Sequence, residues 1–344
     1  MNHNGHTRFK GPALRWQDSY AVGWQGVPIH YTVCGSGEPT LACCNGLGVS
    51  TFFWKYVLEH FAETHRIITW DYRGHYRSPS PRRLTPETLT VAANARDLAA
   101  VLDAAGVSRA VVLGHSMGVQ VLLEFWKRYP ERVAGLIPIC GPYGRPLDAL
   151  LGSPRIAHAL FDLLYTAIRW SPGLVELWLR PLFRSRIPFE VARLGMINFQ
   201  LARFEDMRLY FEHLSRLDLR VFFFMAAEMQ RHDSGPWLHT VNVPTLIVGG
   251  ESDLLTPLPL AVEMRDKIPG AELLVLPKGS HAGLIEHPEL LNLRIEKFLR
   301  ERVTPFLAAH GIAGRPRAAG AFRSSSGQRR AARRVHAAHS GSRR

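Results

Sequence analysis

The sequence has few cysteines: among 344 residues there are only Cys34, Cys43, Cys44 and Cys140. None of them forms a C-x-x-C pair, so neither a disulfide framework nor a zinc site of that type is indicated. Cys43 and Cys44 are adjacent, and in a strand their side chains would point to opposite faces. We expect four free, buried thiols in a reducing compartment. The sequence also lacks a glycine-rich phosphate-binding loop, and no cofactor is predicted.

Long apolar segments are also missing. No run reaches the roughly 18 apolar residues that a transmembrane helix requires. The first ten residues, MNHNGHTRFK, contain no apolar stretch of the kind found in signal peptides. These absences predict a soluble, cytoplasmic protein.

Acidic residues are absent beyond Glu301, whereas ten arginines follow that position. These arginines account for most of the formal net charge of +13. Residues 311–344 are rich in alanine, glycine, serine and arginine, and have too little apolar surface to fold, so we predict a basic, disordered tail. Such a tail could contact nucleic acid or anionic lipid through charge alone. Without interleaved aromatic residues or a folded reading motif, a solvated extension is the favoured interpretation.

The most informative motif that is present is Gly114-His115-Ser116-Met117-Gly118. An apolar run precedes it and a helical pattern follows it, which predicts a sharp strand-to-helix turn. Such a turn projects the serine hydroxyl from the end of the strand, and glycine is needed where a Cβ would collide with a neighbouring element. A serine hydroxyl is a weak nucleophile until a base removes its proton. A histidine and an acid are therefore expected elsewhere in the chain.

Both partners have candidates in the second half of the chain. Where a serine lies at such a turn, the acid is expected after a later strand and the histidine last. Residues 243–250 predict a buried strand, and Asp253 lies just beyond it. Residues 271–276 predict another strand, which is followed by a loop that contains His281. From this loop the histidine can reach Ser116.

Five segments together resemble the α/β-hydrolase superfamily, specifically its cap-bearing, esterase-like branch. They follow one another in the family's order and span most of residues 19–300; they are residues 45–48, 71–78, 114–118, 250–253 and 279–281. The resemblance implies an α/β fold with a doubly wound, mostly parallel sheet and an inserted helical cap. It also implies that Ser116 is the nucleophile, His281 the base and Asp253 the orienting acid.

Two other carboxylates compete for the role of the acid. Glu251 precedes Asp253 by two residues, and Glu286 follows the histidine. The preceding strand, predicted at residues 133–140, is followed by Gly-Pro-Tyr-Gly and offers no carboxylate. Asp253 is the favoured candidate.

An acyl-transfer reaction also needs an oxyanion hole of two backbone amides. The Met117 amide, next to the serine, is the first donor. By resemblance, the second is the Leu47 amide, in the loop after the strand predicted at residues 40–44. Gly46 and Gly48 allow the backbone of this loop to approach closely.

Two positions depart from the pattern of the family. Asn45 stands where relatives usually have histidine, and its amide can still hold the loop by hydrogen bonding. Tyr76 stands where relatives generally have glycine. Asp71 and Arg73 are expected to stabilise the loop beneath the site, as a buried arginine–carboxylate pair does, and not to take part in the chemistry.

Alternating strand and helix patterns favour a doubly wound parallel sheet, with the functional loops at the carboxyl ends of the strands. Residues 19–33 predict a hairpin, residues 88–105 and 119–129 predict helices, and further strands are predicted at 40–44, 66–70, 110–113, 133–140, 245–248 and 273–276. The predicted organisation is an N-terminal extension (1–18), a core (19–142), a helical cap (143–239), the rest of the core (240–303) and the tail (311–344).

Within the predicted cap, the alternation stops and four helices are expected, at residues 155–170, 173–183, 188–201 and 204–230. By resemblance this insertion lies over Ser116. Most of its apolar side chains are expected to pack the cap against the core. Phe222, Phe223 and Phe224 are the best candidates for lining an apolar substrate pocket.

The predicted activity is hydrolysis of a carboxylic ester with an apolar acyl group, through an acyl-enzyme on Ser116. A monoacylglycerol-type lipase, a lactonase, a carbon–carbon bond hydrolase and a cofactor-free perhydrolase can use the same residues, and the fold does not decide among them. A non-catalytic ligand receptor and a nucleic-acid binder that acts through its tail are the alternatives from other classes. The expected partner is a small apolar ester, and the oligomeric state stays open.

Overall fold

The computed structural model describes residues 16–149, 154–193 and 196–311. Most of the predicted N-terminal extension and nearly all of the predicted basic tail lie outside the described residues. The described strands are β1 (Trp16–Val22), β2 (Pro28–Cys34), β3 (Leu41–Cys44), β4 (Ile67–Trp70), β5 (Ala110–His115), β6 (Val133–Ile139), β7 (Leu246–Gly250) and β8 (Glu272–Leu276).

Helices follow or flank these strands. They are α1 (Lys55–Phe61), α2 (Val91–Ala104), α3 (Met117–Arg128), α4 (Pro154–Trp170), α5 (Pro172–Arg184), α6 (Ile187–Arg193), α7 (Phe204–Leu214), α8 (Leu219–Arg231), α9 (Leu258–Lys267), α10 (Gly283–Glu286), α11 (Pro288–Phe298) and α12 (Thr304–Ala309). Within the described parts of the chain, no helix has both the length and the apolar character that crossing a membrane requires.

All of these strands belong to one sheet, in the order β1-β2-β4-β3-β5-β6-β7-β8. The predicted hairpin is β1–β2, which is antiparallel, and its turn holds Gln25 and Gly26 at positive φ, as in common tight hairpin turns. The β2–β4 pair is also antiparallel. Each remaining pair, from β4 to β8, is parallel. The predicted mostly parallel α/β sheet is therefore confirmed.

Side chains of the central strands are buried on both faces of the sheet because helices cover both faces. On β3, Cys43 and Cys44 pack into two different apolar clusters, as expected for neighbours on a strand. All four cysteines are free and buried, as predicted. Burial raises the pKa of the Cys34 thiol to about 11, so this group is neutral at physiological pH.

Helices α4 to α8 lie between β6 and β7 along the chain, and we call them the inserted helices. The single helix predicted at 204–230 is wrong, because the helix is interrupted between Leu214 and Leu219 and forms α7 and α8 instead. The Asp218 side chain accepts a hydrogen bond from the Arg220 amide at 2.8 Å and starts α8 as its N-cap.

The helix predicted at 188–201 is also too long, since α6 ends at Arg193. Downstream, the Asn198 amide donates to the Glu286 carboxylate at 2.7 Å. Glu286 lies on α10, after β8, so this bond joins residues that are far apart in the sequence. A bond of this kind leaves no signal in the helical periodicity. The remaining predicted helices and strands agree with the structure to within a few residues.

Candidate active site

Ser116 lies at the turn between β5 and α3. Its φ of 54° is in the left-handed region, which costs a non-glycine residue roughly 1–3 kcal/mol. Close packing holds this turn, because a Cβ on Gly114 would lie 2.3 Å from the Gly118 carbonyl oxygen. A Cβ on Gly118 would lie 2.2 Å from the carbonyl oxygen of Cys44. The predicted need for both glycines is therefore met.

The structure brings the three predicted side chains together at the carboxyl end of the sheet. The Nε2 atom of His281 lies 2.9 Å from the Oγ atom of Ser116. Its Nδ1 atom lies 3.0 Å from Oδ2 of Asp253. This spacing allows one proton to pass between serine and imidazole while the carboxylate fixes the orientation of the ring.

Asp253 is buried and accepts several hydrogen bonds. Its Oδ1 accepts from the amides of Leu255 and Thr256, each at 2.9 Å, and its Oδ2 accepts from the Thr256 hydroxyl at 2.7 Å. Burial opposes ionisation, but His281 and the bonds from Thr256 outweigh it and hold the pKa of Asp253 below its usual value. Sequence reasoning missed Thr256, although an aspartate that caps the turn just after it is a recognisable local pattern.

The two alternative acids bond to backbone near the histidine and, within the described residues, not to its ring. Glu251 is exposed and accepts from the Lys278 amide at 2.7 Å. Glu286 is buried and accepts from the Ser280 amide at 2.6 Å, as well as from the Ser280 hydroxyl. Both carboxylates therefore support the loop that carries His281.

Residues just after α6 also hold this loop. The Ser280 hydroxyl oxygen lies 2.9 Å from the Met196 carbonyl oxygen, and the Asn198 side chain donates to the Lys278 carbonyl at 3.1 Å. The same Glu286 carboxylate accepts from the Asn198 amide and from Ser280. The inserted part of the chain and the histidine loop thus share one buried acceptor.

His115, inside the serine motif, supports the histidine from the other side. Its Nε2 atom lies 2.8 Å from the carbonyl oxygen of His281, and it is fully buried. Burial, together with the neighbouring His281 charge, lowers the pKa of His115 to about 3. A neutral ring with its proton on Nε2 can donate to this carbonyl. Sequence reasoning did not identify this supporting role.

The loop after β3 lies directly beside the serine. A Cβ on Gly46 would lie 3.2 Å from the Cβ of Ser116. Asn45 holds the loop as expected: its side-chain nitrogen donates to the Trp70 carbonyl at 2.6 Å, and its oxygen accepts from the Trp54 indole at 2.8 Å.

Leu47 belongs to this same loop, and Met117 directly follows Ser116 in the chain. Met117 is the first residue of α3, where backbone N–H groups lack partners within the helix. Among the hydrogen bonds between described residues, neither amide has an acceptor. Their role as the two oxyanion donors stays a prediction.

Arg73 is fully buried, but its partner differs from the one expected. Its Nε and Nη2 atoms donate to both carboxylate oxygens of Asp97, at 2.7 and 2.6 Å. Asp71 instead accepts from the Ser50 hydroxyl and lies 2.9 Å from Nδ1 of His30. Both residues anchor loops, as predicted, through two separate networks.

Tyr76 adopts a φ of 45°, a conformation that glycine reaches without strain. This backbone geometry explains physically why a glycine would suit the position. The Tyr76 side chain is exposed, and its ring centroid lies 5.5 Å from that of His213 on α7. The departure thus adds an aromatic contact between the core and the inserted helices.

The three predicted pocket phenylalanines lie in different surroundings. A Cβ on Gly48 would lie 3.8 Å from the Phe222 ring, so this ring is next to the loop beside Ser116. Phe223 and Phe224 are buried, with ring centroids 6.4 Å from Phe161 and 5.9 Å from Tyr165 on α4. Substrate contact stays a prediction for all three residues, and the geometry favours Phe222.

A cavity of about 640 Å³ lies near, but not at, this site. Its lining includes Ser50, Tyr76, Arg77, His213 and Leu217, and none of the three predicted catalytic side chains. The hydrogen-bonded side chains around Ser116 therefore lie outside the lining of this cavity. Among the described residues, no cluster of histidine, cysteine or acidic side chains is arranged to hold a metal ion.

Comparison with known proteins relates the chain to hydrolases. A family model described as the alpha/beta hydrolase fold matches residues 39–288. A relative from Azorhizobium caulinodans named for carbamate hydrolysis, RutD, is 28% identical over 79% of this chain and 95% of its own. A 2-hydroxy-6-oxononadienedioate/2-hydroxy-6-oxononatrienedioate hydrolase from Burkholderia vietnamiensis is also 28% identical, over 79% of this chain and 91% of its own.

The structure also resembles solved structures. A hydrolase from Pseudomonas aeruginosa superposes with a TM-score of 0.67 at 23% identity, covering 82% of this chain and 98% of that one. At this identity the likeness shows the shared fold alone. The family match spans well over half of the sequence and includes every segment of the site. The chain therefore belongs to the alpha/beta hydrolase fold family.

Proposed function

We propose that this hydrolase cleaves a carboxylic ester with an apolar acyl group, using Ser116, His281 and Asp253 as a catalytic triad. One observation carries the proposal: an unbroken series of hydrogen bonds joins the three side chains, at 2.9 and 3.0 Å. The strained backbone of Ser116 supports it, because strain of this kind is typical of functional sites.

In the proposed mechanism, His281 takes the hydroxyl proton as Ser116 attacks the substrate carbonyl carbon. The developing oxyanion accepts hydrogen bonds from the amides of Met117 and Leu47. The protonated imidazole then donates to the leaving alcohol, which leaves an acyl-enzyme. In the second half, His281 activates a water molecule that releases the acid. Asp253 keeps the ring in the tautomer that presents Nε2 to the serine.

We further propose that the inserted helices form the cap of the site, within a segment of residues 143–239 placed between core segments 19–142 and 240–303. Their position between β6 and β7, and the nearness of Phe222 to Gly48, support this role. Phe222 would then contact the acyl group. Phe223 and Phe224 would mainly fix α8 against α4.

A second candidate reaction is cleavage of a carbamate or of a carbon–carbon bond next to a carbonyl group. The names of the two relatives, at 28% identity each, favour considering it. Both reactions also proceed at a carbonyl carbon and would use the same oxyanion donors. They differ from ester cleavage in the leaving group, so substrate tests separate them.

The decisive experiment is labelling with a fluorophosphonate probe, which reacts covalently with activated serines. The wild-type protein should be labelled at Ser116, and Ser116→Ala should lose both the label and about 10⁴- to 10⁶-fold in turnover of p-nitrophenyl esters. Ser252→Ala, an exposed serine near the acid, is the matched control and should behave as wild type.

The outcomes separate the candidates. Labelling at Ser116 with turnover of carbamates or of a dienedioate, and none of esters, would replace the substrate class and keep the triad. An unlabelled wild-type protein that still binds apolar ligands would contradict the enzyme and favour a receptor.

A further inference from the structure

Helices α4 and α5 each present two apolar stripes, of which only one is used inside the protein. On α4 the inner stripe is Phe161, Tyr165 and Ile168, spaced as on one face of a helix. Ile168 is fully buried, and the two aromatic rings contact Phe223 and Phe224. The two rings of this stripe pack α4 onto α8.

The outer stripe of α4 consists of Ile156, Leu160, Leu163 and Leu164, which repeat at intervals that also share one face. All four are exposed, Leu163 to 67% of its surface. A helix in a globular protein ordinarily places charged residues on the face opposite its buried stripe. Here that face is apolar instead.

Helix α5 repeats the pattern. Val175 and Leu179 pack towards the apolar core, whereas Leu174, Leu177 and Trp178 point away from it. Trp178 is 76% exposed, and Trp170, at the end of α4, is 78% exposed.

Exposed apolar residues also continue onto α6, where Ile187 and Val191 are one turn apart. We call the exposed apolar residues of α4 to α6 the outer apolar face: Ile156, Leu160, Leu163, Leu164, Trp170, Leu174, Leu177, Trp178, Leu182, Ile187 and Val191. So many large apolar side chains on three successive helices exceed the scattered exposure that is normal for a surface.

The helices that carry this face are rich in positive charge. Residues 154–193 contain six arginines, no lysine and only three acidic residues. Two of the acids already have partners, since Glu176 pairs with Arg180 and Glu190 lies 3.8 Å from Arg193. The remaining arginines are exposed and form no ion pair within the described residues: Arg155, Arg169, Arg184 and Arg186.

We propose that the outer apolar face docks on the surface of an anionic lipid bilayer. Leucine and isoleucine would enter the boundary between headgroups and acyl chains, and the two indoles would lie at the level of the headgroups, where tryptophan is favoured. The exposed arginines would pair with lipid phosphates, which attract basic side chains near such a surface. The helices would lie in the plane of the interface and would not span it.

Two other occupants fit this face less well. A second copy of the chain would bring two arginine-rich surfaces of the same sign together, which opposes association. Residues 312–344 contain only Ile312, Phe322 and Val335 as large apolar residues, so this segment could cover little of the face. Its own arginines would add to the repulsion.

The test is co-sedimentation of the full chain with phosphatidylcholine vesicles that contain phosphatidylglycerol. The double variant Trp170→Glu/Trp178→Glu should weaken binding at least about tenfold, because it replaces interfacial indoles with acids that the lipid repels. Leu293→Glu on α11, also an exposed apolar position, is the matched control and should bind as wild type. With brominated acyl chains, wild-type fluorescence should be quenched, and Trp170→Phe/Trp178→Phe should lose that quenching while still binding.

The outcomes distinguish the sources of binding. If the double glutamate variant binds as well as wild type, the basic tail or another surface is responsible and the proposal fails. If wild type ignores the vesicles but forms dimers that the variant cannot form, the face is a self-association surface and the proposal also fails. The readout is lipid binding and does not depend on the proposed activity.

Discussion

The sheet with its loops differs from the inserted helices in where the large apolar side chains lie. Around Ser116, apolar side chains are buried on both faces of the sheet, and polar groups such as Asp253 and Arg73 have several partners each. On α4 to α6, large apolar side chains are exposed instead. Internal contacts specify the first region, whereas the second leaves a large apolar surface exposed.

The largest expected effect concerns the acid of the site. Asp253→Asn should lower kcat of ester hydrolysis about 10⁴-fold while leaving the fold intact, because the amide no longer holds His281 in the reactive tautomer. Glu251→Gln, an exposed neighbour, should retain nearly full activity. Steady-state kinetics with circular dichroism would check both. If Glu251→Gln lost activity and Asp253→Asn did not, the assignment of Asp253 as the acid would be wrong.

A matched pair of leucines tests the comparison between the regions directly. Leu98→Ala on α2, which is fully buried, should lower the free energy of unfolding by about 2–5 kcal/mol. Leu163→Ala, in the outer apolar face, should change it by less than about 0.5 kcal/mol. Urea unfolding would measure both values. Equal losses would mean that the exposed stripe of α4 is buried in solution.

The smallest effect concerns His75, at the border of the two regions. Burial, reinforced by His213 on α7, lowers the pKa of His75 to about 4, although Asp71 and the Arg73 carbonyl act in the opposite direction. Between about pH 4 and 6.5, His75 binds a proton in the unfolded chain but not in the folded protein. The free energy of unfolding should therefore fall as pH drops from about 6.5 towards 4.

Removing this histidine should reduce the slope. His75→Gln keeps an acceptor for the Gly48 amide, which lies 3.2 Å from Nε2. Unfolding free energies at several pH values should show a slope smaller by up to about 1.4 kcal/mol per pH unit. His239→Gln, at an exposed position, controls for the loss of a histidine as such. An unchanged slope in His75→Gln would contradict the assignment.

Most of the sheet was predictable from the sequence because its strands are short apolar runs between turn signals, and their order along the chain matches a known pattern. The positions of Ser116, Asp253 and His281 followed from the same order, since parallel strands bring their carboxyl ends to one edge. Four free cysteines on a buried framework were predictable from composition.

Features that depend on distant pairing were not predictable. Arg73 bonds to Asp97, and nothing in a single sequence marks that pair over the nearer Asp71. The ends of α6 and α7 follow from local capping and long-range bonds that override helical periodicity. The exposed stripe of α4 has the same spacing as a buried one, so only the structure separates the two.

The carboxylate of Glu286 has a mechanical consequence. Because it accepts hydrogen bonds from the Asn198 and Ser280 amides at once, it anchors the inserted segment to the loop that carries His281. A rigid-body shift of the residues after α6 would therefore also displace the His281 side chain. A movement of the inserted helices that leaves His281 in place would need a hinge at another point. Exchanging the whole insertion for that of another protein would remove this anchor of the His281 loop as well as alter the surroundings of the site.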